Sequence, residues 1–356
     1  MMMTKSVDIR DLLILASERN ASDLHLTDDT PPVLRINGHL ALTKLDPLDR
    51  DTLKKMIYGV LTDDQKEQFE KKLELDFSIA LPGVDRFRAN VHMQRGSVEI
   101  ALRRIPLFLP SIEELGLPNA VRDFALKKDG LVLVTGPTGM GKTTTLSAMI
   151  DLINSQRSNL IICIEDPIEY IHYNKKSIIK QREVFSDTHS FSEALKRCLR
   201  QDPDVIVVGE MRDLETISTA LTAAETGHLV LATLHTPDAP QTIERVVDVF
   251  PPHQQEQVKI QLSSCLSGVI SQRLLPRKDG SGRILASEVM VATPGIRHLI
   301  REQAIEQIPT AIQTGHRYGM KTMDKSLQEL YQNGIITFEE AISHAKNPEE
   351  FQRLAQ

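Results

Sequence analysis

The chain has 356 residues, a formal net charge of −6, 41% apolar residues and 25% charged residues. Length gives a prior of about two domains, the apolar share suffices for a core without staples, and the acidic balance argues against a dedicated nucleic-acid binder. Three isolated cysteines, Cys163, Cys198 and Cys265, contain no C-x-x-C pair, which disfavours a zinc site or disulfide scaffold and fits a reducing, cytoplasmic compartment.

The pattern predicts a short helix over Val7–Glu18. Its apolar run Leu12–Ala16 lies between Asp11 and Glu18 and does not read as a secretory signal. No stretch reaches the roughly 18 apolar residues of a membrane span. Strands are expected at Asp23–Thr27 and Val33–Ile36, with an Asn37-Gly38 hairpin turn, and again at Asp76–Ile79, Phe87–Met93 and Val98–Arg103. This is the pattern of a small α+β domain over residues 1–105. Pro106 and Pro110 then disfavour helix, so residues 106–113 read as an extended linker.

From residue 114 to 356 the chain alternates strands and helices. Leu131–Val134, Leu160–Ile164, Val205–Val208 and Leu229–Thr233 are apolar on both faces, as in a buried parallel sheet. After the first comes Gly136-Pro137-Thr138-Gly139-Met140-Gly141-Lys142-Thr143, a match to G-x-x-x-x-G-K-[ST] between a strand and a predicted helix. Glycines let successive N–H groups turn toward an anion, and the helix N-terminus adds partial positive charge. Lys142 would reach the β- and γ-phosphates of ATP, and the Thr143 hydroxyl would coordinate magnesium, with Thr144 beside it.

The second strand exits into Glu165-Asp166-Pro167-Ile168-Glu169, where Glu165 is a candidate to orient or deprotonate the attacking water. Ser190–Glu193 is a capping-box pattern opening a helix that Asp202-Pro203 would end. The third strand ends in Glu210, a candidate magnesium ligand, directly or through water. His228 and His235 bracket the fourth strand, and a histidine at its carboxyl end could sense the γ-phosphate. From about Asp238 the chain reads as mainly helical, with a helical C-terminal region from about residue 293 and a second capping-box pattern at Thr337–Glu340.

Taken together, these motifs resemble the type II/type IV pilus secretion ATPases, specifically the pilus retraction (PilT) family. The resemblance lies in GPTGMGKT, in IEDPIEY at Ile164–Tyr170, in VIVVGEMRD at Val205–Asp213 and in TAAETGHLVLATLHT at Thr222–Thr236. It extends to SDLHL at Ser22–Leu26, RFRANV at Arg86–Val91, KQREV at Lys180–Val184 and MKTMDKSL at Met320–Leu327. It implies an α/β fold: a RecA-like P-loop ATPase core, a smaller N-terminal PAS-like α+β domain and a helical C-terminal part. It also implies a homohexamer at the cytoplasmic face of the inner membrane that hydrolyses ATP with magnesium and acts on a membrane platform protein. The second histidine box residue, His228, is carried over as catalytic on the same ground as His235. Arginines of the N-terminal domain would complete the nucleotide site, Arg86 and Arg88 first and Arg103 or Arg104 next, by neutralising transition-state charge.

Two absences favour retraction over extension: the chain starts directly at the PAS-like domain, and it lacks the paired cysteines of a zinc element. Two departures keep a second reading open. Gly295–Glu302 reads GIRHLIRE where the family pattern is AIRNLIRE, and Pro309 stands where a tyrosine is expected. The alternative is an accessory nucleotide-binding paralogue working with a main motor ATPase. An extension or type II secretion ATPase and a DNA translocase are weaker readings.

Overall fold

The computed structural model describes residues 8–36, 38–105 and 109–355. These divide into two compact units, one ending at residue 108 and one beginning at Leu109.

In the first unit, helix α1 (Ile9–Glu18) leads into strands β1 (Asp23–Leu26), β2 (Val33–Ile36) and β3 (His39–Leu42). Helices α2 (Arg50–Tyr58) and α3 (Asp63–Lys72) follow, then β4 (Glu74–Leu81), β5 (Asp85–Gln94) and β6 (Ser97–Ile105). The strands form one antiparallel sheet in the order β3-β2-β1-β6-β5-β4. Ile9, Leu12, Leu13 and Ala16 recur at helical spacing on α1 and pack with Phe87, Ala89 and Val91 of β5 in one core. The period of two then puts Arg86 and Arg88 on the opposite face of β5. Of the expected hairpin turn, Asn37 lies outside the described residues, while Ile36 and His39 pair across it. Helix α3 was not legible as an apolar stripe because only Phe69 of it is buried; a reciprocal capping box between Thr62 and Gln65 starts it.

The expected linker 106–113 needs correction. Residues 106–108 lie outside the described ones, and residues 109–111 carry neither helix nor strand, but a turn follows over 112–116. The Ser111 N–H donates to Glu114, the Glu114 N–H donates to the Ser111 hydroxyl, and Ile112 is buried in the second unit's core. A side-chain cap outweighed the proline signal.

The second unit opens with α4 (Asn119–Ala125), β7 (Gly130–Thr135), α5 (Lys142–Gln156), β8 (Leu160–Glu165) and β9 (Ile178–Glu183). It continues with α6 (Phe191–Cys198), β10 (Val205–Val208), α7 (Leu214–Glu225), β11 (Leu229–Leu234), α8 (Ala239–Asp248) and α9 (Pro252–Cys265). Two long strands follow, β12 (Leu266–Pro276) and β13 (Arg283–Val291), before the terminal helices α10 (Pro294–Arg301), α11 (Ile308–Thr314), α12 (Met323–Gln332), α13 (Phe338–His344) and α14 (Pro348–Ala355). The sheet order is β13-β12-β7-β11-β10-β8-β9, parallel except for β13. Strands β7, β10 and β11 are buried at every residue, as expected of strands covered on both faces.

The expectation of helix from Asp238 onward fails at β12 and β13. Helix α9 passes into β12 at Cys265–Leu266 with no turn residue between them, so no breaker marks the change. Helix α6 also stops at Cys198, before Asp202-Pro203.

Strand β12 crosses the ring of Phe124 on α4 so closely that a Cβ at Gly268 would lie 2.1 Å from its Cζ. Phe124 is fully enclosed, so Gly268→Ala is expected to cost about 1–3 kcal/mol by overpacking. Thermal unfolding checks this; an unchanged midpoint would show that the ring yields.

Candidate active site

The registers bring the motif loops to one edge. Thr135 pairs with Leu234 and Val208 with Ile164, so the segments leaving β7, β11, β10 and β8 all emerge at the carboxyl ends of the parallel strands. That edge is where open α/β sheets hold ligands.

The loop from Gly136 to Gly141 links β7 to α5 and lies against β12. At Gly136 φ is 139°, and a Cβ there would sit 2.5 Å from the main-chain carbonyl oxygen of Gln272. Gln272 donates to the Thr145 hydroxyl at 2.6 Å, and the Leu274 N–H lies 3.2 Å from Met140 Sδ. No side chain caps α5. Its first turn therefore presents main-chain N–H groups, the arrangement that binds phosphate. Lys142 is buried and donates to the carbonyls of Gly136 at 2.7 Å and Pro137 at 3.0 Å. Burial draws its pKa below that of an ordinary lysine, while Glu210 and Glu169 pull it up. Thr143 is half-buried in the first turn, and the Thr144 hydroxyl lies 3.1 Å from the Tyr170 hydroxyl.

His235 connects two of the motifs. Its Nδ1 is 3.3 Å from the Thr138 hydroxyl of the loop, and its Nε2 is 3.0 Å from Glu210 Oε1. Arg212 donates to the other oxygen of Glu210 at 2.6 Å. Burial pushes the Glu210 carboxyl up, but the hydrogen bond from Arg212 and the charge of His235 outweigh it and hold its pKa below the ordinary value. An ionised carboxylate beside the first turn of α5 suits a hard cation such as magnesium. The His235 side chain is 41% exposed, so it carries little of the fold. His235→Ala is expected to lower turnover roughly 10- to 100-fold, the loss of one hydrogen bond to a charged group, with the melting midpoint nearly unmoved. A collapse of that midpoint in a thermal melt would make the histidine structural.

Glu165 ends β8 and is buried. Desolvation raises its pKa to about 7, against the hydrogen bond from Gln181. His228 is not brought to this edge. It precedes β11 at the opposite end, roughly 20 Å away for six residues of strand. There its Nδ1 faces the Ala223 carbonyl at 3.0 Å and closes the end of α7.

The predicted arginines belong to the first unit. Arg86 donates to Ser78 at 2.7 Å, and Arg88, which is exposed, is the cross-strand neighbour of Arg103. Arg103 pairs with Asp23 at 2.9 Å. All three lie on the face of the sheet away from the core. Arg104 points the other way and pairs with buried Asp85 at 2.5 Å, which marks it as a structural ion pair. The sequence could not separate these two neighbours; strand parity does.

The profile of the family described as "Type II/IV secretion system protein" matches residues 5–343. The chain belongs to that family. It is 49% identical over 345 residues to the "Type IV pilus retractation ATPase PilT" of Pseudomonas aeruginosa, covering 97% of this chain and 100% of that one. To the "Type IV pilus ATPase PilU" of the same organism it is 42% identical, covering 95% of this chain and 89% of that one. A crystal structure of the pilus retraction motor PilT with bound ADP superposes with a TM-score of 0.91 at 50% identity, over 98% of this chain and 99% of that one. The two units are thus a family N-terminal domain and a RecA-like ATPase core with a helical C-terminal part. Among the described residues no helix is long and apolar enough to cross a membrane.

Within this secretion-ATPase site, reading motif by motif missed three side chains: Gln181, Tyr170 and Arg212. Each lies inside a quoted stretch of family resemblance. Strand β9, which carries Gln181, has exposed Ile178 and polar Lys180–Glu183 and so gave no apolar run.

Proposed function

We propose that this chain is the ATP-hydrolysing motor of type IV pilus retraction. The observation that carries the reading is the junction of Lys142, His235 and Glu210 at one sheet edge, in a chain related end to end to a pilus retraction ATPase. Lys142 and the N–H groups of α5 would hold the phosphates of ATP. Thr143 and Glu210 would hold magnesium, which supplies charge neutralisation on the β- and γ-phosphates. Glu165 accepts the proton of the attacking water, and His235 couples the phosphate loop to Glu210. Arg86, Arg88 and Arg103 serve as the arginines that neutralise transition-state charge. The motor works as a homohexamer at the cytoplasmic face of the inner membrane, where it acts on the pilus platform protein.

Greater identity to PilT than to PilU supports a primary motor over an accessory paralogue. The departures in the tail do not break its fold. Pro309 sits at the start of α11, a position where proline lacks no helical donor, and Gly295 and His298 lie within α10. The test is a strain lacking this gene. Many surface pili without twitching motility would support a primary retraction motor. Absent pili would mean extension, and unchanged pili and movement would mean an accessory subunit.

A further inference from the structure

Glu165 is held by a side chain of the neighbouring strand. Gln181 of β9 donates through Nε2 to Glu165 Oε1 at 2.9 Å and to the Tyr170 carbonyl at 2.7 Å. Its own Oε1 accepts from the His172 N–H at 2.9 Å. The amide orientation follows from these three contacts, because turning it over would set NH2 against an N–H. Gln181 thereby fastens the loop 166–172 to the sheet edge. That loop carries Tyr170, whose hydroxyl meets Thr144 on the first turn of α5. One side chain thus couples the carboxylate, the loop beneath it and the phosphate-binding helix.

We propose that Gln181 is a positioning residue for ATP hydrolysis: it fixes the rotamer of Glu165 and aims its carboxyl oxygen at the attacking water. This rests on the reading of Glu165 as the general base. The other groups facing that carboxyl are Glu169 of the loop and Glu183 of β9, whose charges disfavour its ionisation, and the Glu169 N–H, which favours it. Burial opposes ionisation most strongly. Gln181 is the side-chain donor that answers it.

The experiment is a kcat and KM pH profile on the full-length enzyme with ATP and magnesium, for Gln181→Met, Gln181→Glu and Glu165→Gln. Gln181→Met keeps the length and removes the donor. It is expected to lower kcat at pH 7 roughly 10- to 100-fold, to leave KM for ATP nearly unchanged and to move the acid limb up by about one pH unit. Gln181→Glu sets a third carboxylate there and should move the limb further. A merely structural role would lower activity evenly at all pH and leave the limb in place, which overturns the proposal. Gln181→Met with unaltered kcat also overturns it, while an inactive Glu165→Gln would leave the base assignment standing. If Glu165→Gln turns over normally, the base assignment falls and this inference falls with it. If Gln181→Met does not fold, the limb of Gln181→Glu decides alone.

Discussion

Lys142→Ala is expected to abolish nucleotide-dependent stabilisation and to lower ATP turnover by roughly 10²–10³-fold, the cost of removing one preorganised donor from a developing negative charge. The argument starts from burial. Lys142 is an ammonium enclosed beside two carbonyl oxygens, with its pKa depressed chiefly by desolvation. A lysine whose folded pKa lies below its unfolded value costs stability while charged, so removing it should not lower the melting point of the nucleotide-free protein. What disappears is the response to ligand. Wild-type protein at 100 times the Kd of ADP gains about 2.7 kcal/mol, and the variant should gain almost none. A variant that melts early without nucleotide yet responds normally to ADP would refute a phosphate-binding role.

The second large effect belongs to Glu165→Gln. ATP binding should persist while turnover falls roughly 10²–10⁴-fold, the range for loss of a general base. The carboxyl is raised to about 7, mainly by burial, so wild-type activity should rise as pH increases through that value. The stability sign is opposite. A carboxyl raised in the fold binds its proton where the unfolded chain has released it, so stability falls as pH rises from about 4.5 to about 7. Glutamine carries no such cost. Glu165→Gln should therefore be more stable than wild type at pH 8, by about 3 kcal/mol at most, and no more stable near pH 4. Denaturation at the two pH values and a turnover assay test both halves. Equal stability at pH 8 would place Glu165 in a wetter setting than its burial implies.

The phosphate loop and the buried strands were legible because their chemistry is local. Gly136–Thr143 announces itself by residue type, and Val205–Val208 by apolar residues on both faces. Strand β12 was not legible because it follows α9 without a break and pairs with distant β7, and an apolar run after a helix has no distinguishing period; β13 then pairs with its neighbour β12. His228 illustrates the limit within a motif. It shares its stretch with His235, but the six-residue strand between them puts the two at opposite ends of β11. Gln181 illustrates the limit outside one: its role exists only because β9 lies beside β8.

The two close approaches of β12 differ in what a geneticist would recover. At Gly268 the obstacle is a ring, so a second change shrinking Phe124 can relieve an introduced methyl. Suppressors of Gly268→Ala should accordingly map to residue 124. At Gly136 the obstacle is the peptide oxygen of Gln272, which every amino acid carries. No exchange of side chain at position 272 removes it. A screen begun from Gly136→Ala should return true revertants, however many mutants are searched.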